Sequence, residues 1–397
     1  MKILLKVLRE IRSFAIIILI ALSLRTTLVE AYIVPTGSME TTIRTGDFLI
    51  GNKFAYGMRT PDWIGIPYTD MGFDIPWTRF PSFKTPQRGD VVIFKYPRDV
   101  FQKYVKRLIG GPGDTFEMQN DVVFINDKPE GEREFIERKL NRDNHQYYLY
   151  YQISLENGEE YLIRQKERAL HSFHSFDSLK IPYAGQIIQI NDSTKWDRLI
   201  PVMLMDGHEV TYENEGLEKI TGYQKSKLRN FQFTMDEPTD IKRRYESSLG
   251  LKIRQIFSSS ANNNNKVQQS NERFRLYTEE VIYGYGSKRY MKVDIKFIPE
   301  GDLLNSWHLS KLLQKESSEI DLKYIKVNGR PAFEMDHYIV KQNYYWMMGD
   351  NRDDSADSRY WGFVPETHVL GEAVFVYMSW DFVHGSPRFS RVGTVID

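Results

Sequence analysis

Cysteine is absent from all 397 residues, which removes thiol nucleophiles, thiolate metal sites and disulfides together. Net charge is absent too: 53 Lys and Arg balance 53 Asp and Glu, so no global basic field points to nucleic acid. Histidine is scarce. The eight histidines, at 145, 171, 174, 208, 308, 337, 368 and 384, follow no nucleophile-elbow pattern and pair with no acid at a telling spacing. With neither a His-x-x-x-His pattern nor cysteines, nothing suggests a metal site, and no cofactor is expected.

Aromatic residues are abundant. They make up 14% of the chain, with 24 Tyr and 23 Phe, a composition that favours strands, so the chain is expected to be mainly β. At this length two domains of ordinary size can each bury a core.

The N-terminus carries the topological information. Lys2, Lys6, Arg9 and Arg12 precede the apolar run Ser13–Leu24, and a second apolar stretch, interrupted by Arg25 and Glu30, ends at Val34. The twelve residues of the first run reach only about 18 Å as a helix, against a hydrocarbon core of about 30 Å. Snorkelling by Arg12 and Arg25, with extension to Val34, closes that gap. The competing reading is a removable signal peptide with Val29-Glu30-Ala31 as its cleavage site. An uncleaved transmembrane helix over 13–34 is preferred, because the next informative segment starts at Pro35, too soon for a separate domain start. Either way, the basic residues at 1–12 stay in the cytoplasm and the rest lies outside it.

Beyond Val34 the chain reads as strands joined by turns. Asp47–Ile50, Asp90–Tyr96 and Tyr104–Ile109 are β-branched and aromatic runs bounded by turn residues, with turns at Gly110–Asp114 and Asn126–Pro129. An apolar excursion from Trp63 to Phe83 is either a core-covering loop or a surface that enters lipid headgroups. Residues 117–336 are richer in polar and charged side chains, with strand-like pieces at Tyr147–Tyr151 and Tyr161–Ile163. They read as a large inserted α+β or β domain, and the Ser- and Asn-rich tract at 258–272 is expected to be a disordered loop. The expected core is then 35–116 joined to 337–397. Two short similar pieces, Val123–Pro129 and Ile325–Pro331, both read as hairpins with an Asn-initiated turn.

Three segments carry chemistry. The first is Pro35-Thr36-Gly37-Ser38-Met39-Glu40. A serine hydroxyl attacks an amide only if a base takes its proton, and without a suitable histidine that base can be a neutral lysine. The lysine pKa must fall from about 10.4 to about 7–8, a differential cost of roughly 4 kcal/mol that burial can impose. Lys106, between Tyr104-Val105 and Leu108-Ile109, suits this. Strand alternation sends Lys106 and Arg107 to opposite faces. Each segment alone has an ordinary explanation: a turn serine, and a solvated basic pair on an edge strand.

The third segment, Met347 to Pro365, is dense in small, acidic and basic residues between aromatics, as in a loop fixed by internal hydrogen bonds. Asp357 and Arg359 can form a charge-assisted bridge, and Ser355 can exchange a hydrogen bond with a neutral lysine.

Together these segments resemble bacterial type I signal peptidases, the membrane-bound serine/lysine leader peptidases. The resemblance runs through Pro35–Met39 with Thr45-Gly46-Asp47 and Lys53–Gly57, through Arg88–Phe94, through Tyr104–Arg107 with Gly113-Asp114, and through Gly349–Pro365. It implies Ser38 as nucleophile, Lys106 as general base, and Ser355 as the group that orients the lysine. It also implies an oxyanion hole from the Ser38 N–H and the Thr36 hydroxyl, bracing by Asp357 and Arg359, and room for the lysine at Gly349. An antiparallel β core is implied, on which the substrate adds as a strand along Val34, Pro35, Met39, Tyr104 and Val105, small residues preceding the scissile bond. Threonine stands at 36 where serine is common in such proteins, and Asp354 where asparagine is common.

The expected protein is therefore a single-pass enzyme of the cytoplasmic membrane. It removes signal peptides from exported preproteins on the outer side, with preproteins and the lipid bilayer as partners and no nucleic acid. The alternative is a catalytically idle, membrane-anchored binding protein for exported chains.

Overall fold

The computed structural model describes residues 29–65, 72–141, 145–167, 176–212 and 325–396, with short pieces at 12, 14, 16–17, 231–234, 283–284, 287–288 and 303–305. The tract at 258–272 and most of the N-terminal apolar run lie outside the described residues. Arg12, Phe14, Ile16 and Ile17 are helical with exposed side chains. No helix among the described residues is long and apolar enough to cross a membrane.

The stretch assigned to a transmembrane helix up to residue 34 gives way earlier. Val29–Ile33 is a strand, paired antiparallel with Asp47–Asn52 from Val29↔Asn52 to Ile33↔Phe48. Glu30 supplies the reason: its carboxylate takes Lys53 at 2.7 Å and Lys103 at 2.6 Å, partners that hydrocarbon does not offer.

The main sheet is antiparallel and runs in the order Val29–Ile33, Asp47–Asn52, Val369–Asp381, Val91–Tyr96, Asp99–Gly110, Tyr344–Met348, Val364–Pro365. Its central run Val91-Val92-Ile93-Phe94 is buried on both faces, and period-two alternation sorts the side chains. Val92, Phe94 and Tyr96 join Leu108, Met347 and Trp361 in one cluster, whereas Val91 and Ile93 join Met39, Ile43, Leu49 and Val376 in another. The sheet is thus sandwiched, and strand Asp99–Gly110 runs between two apolar layers.

A third and larger cluster lies at the far end of that strand. It unites Ile109, Trp346 and Met348 with Phe116 and Ile125 of a four-stranded sheet, and with Leu199 and Met203 of helix Trp196–Met205. Residues on both sides of positions 116 and 337 share this core. Trp346 sits in its middle, with ring centroids 4.7 Å from Phe116 and 5.3 Å from Phe176. Both similar short pieces are hairpins, turning through Asn126 at φ 53° and Asn328 at φ 51°.

A separate three-stranded antiparallel sheet, Glu132–Asn141, Gln146–Ser154 and Glu160–Lys166, buries Ile153, Tyr161 and Ile163. Its last strand docks onto the segment that follows Tyr344–Met348: Arg164 N–H donates to Asp350 O and Arg352 N–H to Arg164 O, both at 2.8 Å. The shared core gives a direct expectation. Trp346→Ala should cost about 3–5 kcal/mol of stability, read by denaturant unfolding of the full chain. A loss under about 1 kcal/mol, the range of ordinary surface changes, would contradict a core common to these elements.

Candidate active site

Ser38 sits in a tight turn between the first two strands. Val34 fixes the entry to that turn: its N–H donates to Asp47 O at 2.9 Å and its carbonyl accepts from Gly46 N–H at 2.8 Å. Gly46 needs its φ of 89° here, and a Cβ would lie 2.0 Å from Trp380 O. Inside the turn, Glu40 N–H donates to Gly37 O and Ile43 N–H to Met39 O, while Met39 and Ile43 anchor it in the core. Thr41 is held at φ 120°, a conformation a β-branched residue adopts only under strain, and its hydroxyl donates to Leu162 O at 2.6 Å. Pro35 and Thr36 are exposed and Ser38 is half-buried.

Strand Asp99–Gly110 brings Lys106 to this turn. Lys106 is opposite Val92 and shares the apolar face of Leu108, so only 4% of it is exposed. Its Nζ lies 2.7 Å from Ser38 Oγ and 2.9 Å from Val105 O. Burial pulls the amine down to about 8, and the carboxylates of Asp357 and Asp350 limit the fall. A bond to Val105 O uses one N–H and leaves the neutral amine's lone pair available to the serine.

Arg107 points the other way, as alternation requires, and it meets an acid rather than solvent. Its guanidinium grips buried Asp350 with two bonds of 2.9 Å, and it stacks 4.0 Å from the Tyr161 ring. Asp350 in turn accepts from the Thr42 hydroxyl at 2.6 Å, and the neighbouring Asn351 donates from Nδ2 to Gly37 O at 2.9 Å and from N–H to Ser38 O at 3.2 Å. The serine turn is therefore clamped from the 350–351 segment.

Asp357 is fully buried and caps a single helical turn, Ser358–Trp361. Burial alone would raise its carboxyl, but the Arg359 guanidinium, at 2.8 and 2.7 Å, and the Gly349 N–H at 3.1 Å hold it below the usual carboxylate range. Ser355 departs from expectation. Its buried hydroxyl lies beside Asp357 without a hydrogen bond of good geometry, and no hydrogen bond joins it to Lys106. Gly349 packs against both Ser355 and the serine turn: a Cβ there would be 2.3 Å from Ser355 Oγ and from Ser38 O.

Thr36 Oγ1 is 3.4 Å from Ser38 Oγ, and among the described residues the Ser38 N–H has no protein partner. Tyr344–Met348 pairs only with residues 107–110 of strand Asp99–Gly110, so no described strand continues the sheet on that side beside residues 104–105. Tyr104 stacks on Tyr96 at 4.6 Å while Val105 packs in the layer of Val34 and Met39.

The residues 350–351, Thr41 and Thr42 carried no separate signal in sequence. Arg164 carried none either, since only folding brings it 3.0 Å from Glu40 and 3.3 Å from Asn351 Oδ1. Asp354 now has a physical setting: Lys166 reaches it at 3.0 Å and Arg164 at 3.4 Å. An acid rather than an amide complements those two cations.

Ser38 Oγ thus lies beside a buried amine, with the Thr36 hydroxyl and the Ser38 N–H close by. The family model of signal peptidase, peptidase S26, matches residues 7–194 and 264–380, and the chain belongs to that family. It is similar to Signal peptidase I of Rickettsia typhi (38% identical over 155 residues, 38% of this chain and 55% of that protein). Signal peptidase I of Rickettsia canadensis is 36% identical over 159 residues, with the same shares. That of Rickettsia bellii strain OSU 85-389 is 35% identical over 157 residues, 38% of this chain and 50% of that protein. The chain spans about half the length of the curated relatives it matches.

Gly349→Ala tests the packing between the two loops. The added methyl must displace Ser38 O or Ser355, and a shift of about 1 Å can cost on the order of 100-fold in rate. Peptide-bond cleavage should fall accordingly while circular dichroism stays unchanged; full activity would contradict the close approach.

Proposed function

We propose that this chain is a signal peptidase I, a membrane-anchored serine endopeptidase that cleaves N-terminal signal peptides from exported preproteins after small residues. The observation that carries this reading is the 2.7 Å contact between Ser38 Oγ and the buried Lys106 Nζ. Neutral Lys106 accepts the Ser38 proton as Oγ attacks the scissile carbonyl. The resulting oxyanion takes hydrogen bonds from the Ser38 N–H and the Thr36 hydroxyl, and Lys106 returns its proton to the leaving amine. Water then attacks the acyl-enzyme through the same lysine.

Asp357 and Arg359 hold the loop at 349–361, and Ser355 fills the space beside Gly349. The preprotein adds as a strand along the edge at Tyr104 and Val105, opposite Val34 and Pro35, with Met39 flooring the site. Alternate side chains then face the site, which lets shallow pockets select small residues. The apolar run after Arg12 anchors the chain in the cytoplasmic membrane, and the short reach from that run to Ser38 keeps the site near the outer surface, where cleavage sites emerge.

Purified full-length protein should cleave a preprotein, and Ser38→Ala and Lys106→Ala should abolish cleavage. Equal processing by all three would leave an idle binding protein as the better account. Thr36→Val should lose on the order of 100-fold in kcat, a donor worth about 3 kcal/mol, and Thr36→Ser should keep most of it.

The pH dependence follows from the amine. The base works only when neutral, so kcat/KM should be level above about 8 and fall about ten-fold per pH unit below it. A profile level down to pH 6 would contradict a lysine base.

A further inference from the structure

The three-stranded sheet enters the active site through one side chain. Arg164 belongs to strand Glu160–Lys166, distant in sequence from the serine turn and from the loop at 349–361. That loop clasps its backbone: Arg164 N–H donates to Asp350 O and Arg164 O accepts from Arg352 N–H, both at 2.8 Å, which sets Arg164 parallel to Asn351. The side chain is largely buried, with its guanidinium 4.5 Å from the ring of buried Tyr148. From there it reaches acceptors on both segments. Nη1 meets Glu40 at 3.0 Å, Nε donates to Asn351 Oδ1 at 3.3 Å, and Nη2 meets Asp354 at 3.4 Å.

Two of these contacts converge on Gly37, the residue between Thr36 and Ser38. Asn351, with its Oδ1 engaged by Arg164, donates from Nδ2 to Gly37 O at 2.9 Å. An amide whose oxygen is turned to Arg164 leaves its nitrogen for that carbonyl. Glu40, drawn to Nη1, folds back over the same glycine: a Cβ on Gly37 would be 3.2 Å from Glu40 Oε2. The same strand also takes the Thr41 hydroxyl through Leu162 O at 2.6 Å, where Thr41 holds its φ of 120°. A backbone strained in this way persists only where its surroundings over-determine it. Strand Glu160–Lys166 supplies that surplus.

We propose that Arg164 is a positioning residue for the reaction: it locks the serine turn against the loop at 349–361 and so holds Ser38 Oγ within hydrogen-bond reach of the Lys106 amine. The proposal rests on the reading of Ser38 and Lys106 as nucleophile and base. Arginine suits the task because its planar fork engages acceptors on two segments at once, which a single ammonium does not. The Glu40 and Asp354 side chains are 45% and 37% exposed, so these pairs add little to stability. A displaced turn is felt in rate instead, where a shift of about 1 Å costs on the order of 100-fold.

The test is preprotein cleavage by the full-length chain, with kcat, KM, the pH profile and Tm read for each variant. Arg164→Gln should lose roughly ten-fold in kcat, with KM within about two-fold and Tm within about 3 °C of the wild type. The acid limb of its pH profile should keep the wild-type midpoint, because the lysine amine is untouched. Glu40→Gln removes one path to Gly37 and should lose roughly three-fold, and the double variant should lose no more than Arg164→Gln alone. An unchanged kcat in Arg164→Gln, a loss accounted for by a moved midpoint, or losses that multiply in the double variant each overturn the proposal. If Arg164→Gln fails to fold, Glu40→Gln decides, and an unchanged kcat there overturns it. A wild type that does not cleave, or a Ser38→Ala variant that cleaves equally, overturns the nucleophile assignment itself and this proposal with it.

Discussion

The structure turns on keeping one ammonium group dry. Lys106 projects from a strand sandwiched between two apolar layers, and its amine touches a hydroxyl 68 positions away in sequence. Desolvation lowers its affinity for a proton, and it operates only while the layers stay closed. The opposing pull of Asp357 and Asp350 explains why these acids are themselves tied up. Arg359 neutralises the first and Arg107 the second, so neither is free to charge the lysine fully.

From that constraint the surrounding architecture follows. The serine turn has to be brought to a fixed amine, and it is held by contacts that converge on it. Met39 and Ile43 are buried beneath it, Asn351 ties its carbonyls, and strand Glu160–Lys166 takes the Thr41 hydroxyl. Gly349 lets the two loops meet within a distance that any side chain would block. The three-stranded sheet is therefore more than an appendage, since Arg164 binds Glu40 on one loop and Asp354 on the other.

Much of this was legible in the residues. Strands at Asp47–Asn52, Val91–Tyr96 and within Asp99–Gly110 follow from β-branched runs between turn residues, and the mainly β class follows from the aromatic content. The opposite orientation of Lys106 and Arg107 follows from alternation. The rest was hidden for physical reasons. Glu30 within an apolar stretch gave no hint that Lys53 and Lys103 would draw Val29–Ile33 into the sheet. Arg164 looked like one charge among many, because its partners at 40, 351 and 354 are distant in sequence. The close approach of Ser355 and the Ser38 carbonyl at Gly349 joins residues distant in sequence, which no residue pattern encodes.

The most direct measurement is the titration of the Lys106 amine itself. Carbon-13 labelling at lysine Cε, with the signal assigned by its loss in Lys106→Arg, reports the protonation of that one group in the folded protein. The account expects a midpoint near 8, with the amine largely deprotonated at pH 9. A midpoint at the ordinary lysine value of about 10.4 would mean a solvated ammonium and would contradict the account.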